Sequence, residues 1–294
     1  MKTASILVPN YNSGDAIALC LESIRAYDAG WPYRIIVHDD YPANGVDAPY
    51  LARALETGLI DELYTDAEAQ GHGGSLNILL NEKCDSDYAA ILDCDTVIRR
   101  GGWLRNLIDA AEASPKTIIV SDFKQGGYQF LVGGYRTGFF TVWFGLINMT
   151  AYRDGMVTDW RFSMEDRRKP PYDNLFAPYH PPESNAQFMA WWNEKDGKGS
   201  RRHFTACPSL ADFPRNQVMN DPGSQIYVKM LMDNPMGYKA VNLPPTVNGK
   251  WHHFGHISML GATPKSNDTP DVVQARTIRM GQIRDELVRL RRDK

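Results

Sequence analysis

The sequence predicts an α/β protein, a mostly parallel sheet flanked by helices, followed by an irregular second half and a C-terminal helix. Three observations carry this. Short apolar runs alternate with longer amphipathic ones through the first 125 residues, the pattern of strands joined by crossover helices. From about residue 126 that periodicity is lost, with Gly126-Gly127 and Gly133-Gly134 breaking an aromatic stretch and residues 156–215 rich in Pro, Trp, Tyr and charge. From about residue 270, Met280, Ile283, Leu287 and Leu290 recur at helical spacing.

In order, ASILVP (4–9) is a strand, DAIALCLESIRAY a helix, YRIIVHDD (33–40) a strand and APYLARALETG a helix. DELYTD follows as a strand, GGSLNILLNEKC (73–84) as a helix, the run YAAILDCD (88–95) as a strand with its exit turn, GWLRNLIDAAEAS as a helix stopped by Pro115, and TIIVSDF as a strand. The second half offers a helix over about 221–234, a strand at YKAVNLPP and the His-rich run WHHFGHIS (251–258). These divide the chain into 1–125, a ligand-binding half; 126–262, a second half of the same domain carrying acceptor and catalytic groups; and 263–294, a helical tail. Long irregular segments inside a compact protein commonly form binding loops.

Charge narrows the function classes. Thirty-two basic residues nearly cancel 35 acidic ones in the 294-residue chain, so no overall positive field exists to hold a nucleic-acid backbone. The tail is locally basic, with Arg276, Arg279, Arg284, Arg289, Arg291, Arg292 and Lys294 against Asp285, Glu286 and Asp293. Cys20, Cys84, Cys94 and Cys207 are scattered without a CxxC pair, which predicts a reducing, intracellular setting without a zinc knuckle. Ile6-Leu7-Val8 is too short for a signal peptide, and no run approaches the roughly 20 apolar residues of a membrane span. A soluble, cytoplasmic protein is the expectation.

Polar residues cluster where apolar strands end: Asn10 and Asn12, Asp39 and Asp40, Asp93 and Asp95. In open α/β sheets ligands bind along that edge, although each pair also suits turns and helix caps. Asp93-Cys94-Asp95 is the sharpest. Two carboxylates one residue apart can serve different ligands, and a hard divalent cation takes oxygen ligands, with one or two carboxylates plus substrate phosphates the usual supply, which would suit a nucleotide diphosphate.

The runs SILVPNYNSGDAIALCLESI, RIIVHDD, GHGGSLNILL and AAILDCDT, in that order and separation, together resemble the family 2 glycosyltransferases of GT-A fold over about the first 120 residues. By that resemblance Pro9, Asn10 and Tyr11 line a nucleotide pocket and Asp39 accepts a hydrogen bond from the base, most naturally the imide N–H of uracil. His38-Asp39-Asp40-Tyr41 replaces the family's more usual Asp-Asp-Gly-Ser, which leaves Asp40 as the alternative. Asp93 contacts the ribose or metal-bound water, and Asp95 binds Mn²⁺ or Mg²⁺ directly. Gly73 and Asn77 fall in a donor-contacting segment, where Leu76 departs from the family's Arg and His72 is a substitute cation facing phosphate.

An inverting transfer needs a base to take the proton of the attacking hydroxyl. Asn220-Asp221-Pro222-Gly223 resembles the family's Asp-x-Gly element and assigns Asp221 as base; an N-cap followed by Pro is its other reading, and Glu165-Asp166 is the rival pair. His253-Phe254-Gly255-His256-Ile257-Ser258 resembles a late element that brings a His to the metal, with His253 the better-aligned ligand and His256 the alternative. Arg136, Trp143, Trp191 and Trp192 are of types that stack on sugars, but aromatic stripes are more often core.

The expectation is a metal-dependent inverting transfer of a sugar from a nucleoside diphosphate, UDP favoured, to a hydroxyl acceptor. That acceptor is left open among glycan, lipid-linked glycan, protein, metabolite and modified nucleic-acid base. The C-terminal helix docks on the body or forms a homodimer. A nucleotidyltransferase, or a non-catalytic nucleotide-sugar or carbohydrate-binding module, are the alternatives.

Overall fold

The computed structural model describes residues 2–40, 45–123, 130–131, 134–136, 140–161, 163–166, 169–170, 217–220, 222–254 and 268–293. Strands β1 (Ala4–Asn10), β2 (Tyr33–Asp39), β3 (Glu62–Thr65), β4 (Tyr88–Leu92), β6 (Thr117–Phe123), β9 (Phe140–Asn148) and β12 (Lys239–Asn242) form one sheet in the order β12-β6-β9-β4-β1-β2-β3. All pairings in it are parallel except those of β9 with β4 and β6. Strands β9 and β12 come from the second half of the chain and complete a sheet begun by the first.

Helices α1 (Asp15–Ala26), α2 (Ala48–Glu56) and α4 (Trp103–Glu112) cover one face, and α3 (Gly71–Asn77) with α5 (Met149–Arg153) the other. Because both faces are covered, the central strands read as unbroken apolar runs. In β1, Ile6 and Val8 pack with Ile17, Leu21 and Ile24 of α1, while Leu7 faces Leu76 on the opposite side. All seven β1 residues are buried.

Two expectations are corrected. The helix predicted over 73–84 divides into α3 and a π-helical turn, Ile78–Lys83, in which Cys84 N donates to Leu79 O. The wider turn keeps Leu79 and Leu80 in the core while Asn81 reaches Tyr152 and Thr158 O. The helix expected from 221 is α6 (Ser224–Met232), because Gly223, its N-cap residue, sits at φ 87°, outside the helical region. Asp93-Cys94-Asp95 forms the exit turn expected after the fourth strand: β4 stops at Leu92, Thr96 N closes on Asp93 O at 2.9 Å, and β5 (Thr96–Ile98) begins.

Outside the main sheet, β7 (Phe130–Leu131), β8 (Gly134–Arg136), β10 (Ser163–Asp166) and β11 (Gln217–Asn220) form a four-stranded sheet, and β13 (Trp251–His253) pairs antiparallel with β5. The C-terminal helix α7 (Pro270–Arg292) packs Met280, Ile283 and Leu287 against Ala16 and Leu19 of α1. The apolar stripe is thus spent on the chain's own body. The basic tail is also paired locally, Arg284 with Asp15, Arg291 with Glu22 and Arg276 with Asp268. Among the described residues no helix is long and apolar enough to cross a membrane.

Candidate metal and nucleotide site

The chain runs out through β2 and β3 on one side of β1 and returns through β4 on the other. The carboxyl edge at that reversal is where α/β sheets open a crevice, and Asn10, Asp39 and the Asp93–Asp95 turn stand at the ends of β1, β2 and β4 there.

Asp93, Asp95 and His253 place one ligand atom each within 4.8 Å of one another. Cys94 points into the core under α1, and the turn brings the carboxylates on either side of it together with His253. The turn is fixed from behind by β9, since Trp143 O accepts from Asp93 N at 3.0 Å and from Thr96 Oγ1 at 3.0 Å. His253 arrives through the pairing of β13 with β5, which sets it opposite Thr96. Its Nε2 lies 2.8 Å from Asp95 Oδ1 and 3.4 Å from Asp93 Oδ2. Trp143 stacks on its ring, centroids 5.3 Å apart and planes 6° from parallel. That is a packing role for Trp143, the reading the sequence favoured for such aromatics over an acceptor platform.

Burial alone would lower the His253 pKa, but hydrogen bonds and charge from Asp93 and Asp95 outweigh it and push the imidazole up to about 9. A proton there holds two carboxylates together, as a cation would. Asp93 Oδ1 is buried with no hydrogen-bond partner, and so is His72 Nε2, 3.7 Å away. Two carboxylates, one with an unsatisfied buried oxygen, and an imidazole suit a divalent cation, and the mixed oxygen and nitrogen set suits Mn²⁺ better than Mg²⁺.

Beside this triad lies a cleft of 310 Å³ lined by Pro9, Asn10, Tyr11, Asp40, Ala69, Gly71, His72 and Ser75. Asn10 Nδ2 donates to Asp39 Oδ1 at 2.8 Å and to Asp47 Oδ2 at 3.0 Å. Burial, only partly offset by that Asn10 bond, raises the Asp39 pKa, and the nearby Asp47 charge raises it further. Asp40 lines the cleft, yet both its oxygens accept backbone amides, from Gln70 at 2.6 Å and Gly71 at 2.8 Å. Asp47 is a residue sequence reasoning missed. Its place before α2 reads as a cap, but its carboxylate accepts from Ser13 N and Gly14 N instead, clamping the β1–α1 loop. The only signal was its type, an Asp followed by Ala-Pro.

Two expected donor contacts are turned elsewhere. A Cβ on Gly73 would lie 2.1 Å from Trp160 O, so this glycine admits the 158–161 segment. Asn77 is spent on the same segment, donating to Asp159 Oδ1 at 2.5 Å and accepting from Trp160 N at 2.8 Å. The base candidate Asp221, the alternative ligand His256, and Trp191 and Trp192 lie outside the described residues, as do the side chains of Arg136 and Asp166; Glu165 is exposed.

The model for the family described as glycosyl transferase family 2 matches residues 5–168. No curated protein matches the chain. Among solved structures, the mannosyltransferase PcManGT from Pyrobaculum calidifontis, in complex with GDP-Man and Mn²⁺, is 20% identical, with 52% of this chain and 46% of that chain covered and a TM-score of 0.40. TarS of S. aureus is 15% identical, with 54% and 30% covered and a TM-score of 0.38. GalNAc-T7, with UDP, GalNAc and Mn²⁺, is 11% identical, with 52% and 36% covered and a TM-score of 0.40. The chain thus spans less than half the length of each of these three proteins.

Proposed function

The chain belongs to glycosyl transferase family 2 and is a glycosyltransferase of GT-A fold, and from that premise we propose that it moves a sugar from a nucleoside diphosphate, UDP favoured, to a hydroxyl acceptor with inversion. The observation that carries the donor half is the Asp93, Asp95 and His253 triad beside the cleft of Pro9, Asn10 and Tyr11. Asp95 and His253 hold the divalent cation, with Asp93 completing the set. When bound, the cation offsets the charge of the diphosphate and makes it a better leaving group.

The remaining roles belong to side chains. Asp39 receives the imide N–H of the base; Asp40 is the residue that lines the cleft, but its two oxygens are already committed to backbone amides. His72, which lines the cleft and faces Asp93, contacts the diphosphate where the family's Arg is replaced by the buried Leu76. Asp221, next after β11, takes the proton of the acceptor hydroxyl as the oxygen attacks the anomeric carbon.

Purified chain with Mn²⁺ is expected to bind a nucleoside diphosphate saturably and to release it from one member of a panel of UDP- and GDP-sugars. Asp95→Ala weakens metal-dependent nucleotide binding at least tenfold while circular dichroism stays native. Asp221→Asn retains donor binding but lowers turnover by roughly 10²-fold or more. Absence of binding across the panel overturns the reading, and NMR of the product anomer tests inversion.

A further inference from the structure

We propose that His38 is a positioning residue for the donor cleft, acting through Asp66 to fix the β3–α3 loop as one wall of it; this rests on the donor reading of the cleft given above. Strand alternation sorts the end of β2 into two jobs. Asp39 faces Asn10 and the Asp47 clamp. Ile36 belongs to the core on the α3 face, and His38 and Asp40, two and four residues on, share that face.

Across the β2–β3 pairing His38 stands opposite Tyr64, so Asp66, two residues beyond, is its diagonal neighbour. His38 Nε2 donates to Asp66 Oδ2 at 3.0 Å. At the other end of the loop the Asp40 carboxylate receives Gln70 N and Gly71 N, the entry to α3. Residues 66–70 are therefore held at the first by His38 and at the last by Asp40.

Those anchors matter because the loop has little else. Ala67, Glu68, Ala69 and Gln70 are all exposed, so no buried side chain sets its position. Ala69 nonetheless lines the cleft, and the loop delivers Gly71 and His72 to it. His38 is fully buried and its Nδ1 has no hydrogen-bond partner. An imidazole with one nitrogen left unsatisfied is a costly choice for a strand position that an apolar residue would fill, unless the other nitrogen is needed. The contact with Asp66 is that need.

The experiment measures binding of UDP or GDP, whichever the wild-type chain takes up with Mn²⁺, by calorimetry, together with donor KM and kcat. His38→Ala and Asp66→Ala are each expected to raise nucleotide Kd and donor KM about tenfold with kcat changed less than twofold. The double variant is expected to be no worse than either single one. His38→Gln, whose amide nitrogen has similar reach, is expected to stay within about threefold of wild type. Asp66 lies near the surface, so Asp66→Ala carries the test if His38→Ala fails to fold. Unchanged Kd and KM in Asp66→Ala, or additive effects in the double variant, overturn the inference while wild-type binding leaves the donor reading standing. A wild-type chain that binds neither nucleotide overturns both.

Discussion

Trp143 aims His253. Its indole lies flat on the imidazole while its carbonyl holds the Asp93 turn, so one residue of β9 sets both sides of the proposed metal site. An aromatic stack contributes about 0.5–1.5 kcal/mol, and Trp143→Ala removes it without touching the carbonyl. Mn²⁺ affinity, read by calorimetry, is expected to fall about three- to tenfold in Trp143→Ala and much less in Trp143→Phe. Equal affinities in all three proteins remove the orienting role. The Asp-x-Asp pair was legible in the sequence because strand alternation and an exit turn are local. Trp143 and Asp47 were not, since their partners lie 110 and 37 residues away and depend on which strands and loops meet. Gly73 and Asn77 mark the same limit: their types suit a ligand segment, but the neighbour that uses them is the distant 158–161 backbone.

At the level of elements, the long runs were legible and the short ones were not. Strands β1, β2, β4 and β6 and helix α1 follow from apolar runs long enough to show their period. Strands β5 and β13, three residues each, show none, yet their pairing carries His253 to Asp95. That small ribbon is buttressed by α7: Phe254, directly after β13, packs in the cluster of Met280, Ile283 and Leu287, and Phe254 N donates to Asp95 O at 3.1 Å. Ile283 is fully buried. Ile283→Ala is expected to destabilise the fold by about 2–5 kcal/mol, measured by urea unfolding, and to weaken Mn²⁺ binding as well. A stability loss with unchanged Mn²⁺ affinity in the folded protein shows α7 to be a cover only, uncoupled from the metal ligand.

Across the whole molecule, near-neutral charge fits the proposed site, which would meet an anionic substrate through a cation held on carboxylates, with Arg284 and Arg291 of the tail paired on Asp15 and Glu22. Without a metal, that site stores a proton on His253, raised to about 9 from an ordinary 6.5. The sign follows from linkage. Because the folded pKa lies above the unfolded one, the protonated contact stabilises the metal-free fold fully below pH 6.5 and is lost as pH rises through 9. Metal ligation requires the neutral imidazole, so Mn²⁺ must displace that proton. Its apparent affinity is then expected to rise roughly tenfold per pH unit from 7 towards 9 and to level off above. Melting curves of metal-free and Mn²⁺-saturated protein between pH 6 and 9 provide the measurement: the metal-free Tm falls with pH and the gain from Mn²⁺ widens. In His253→Ala the His253-linked part of both trends disappears. A gain independent of pH, or one that keeps its full slope in His253→Ala, shows that His253 is not the group that exchanges a proton for the metal.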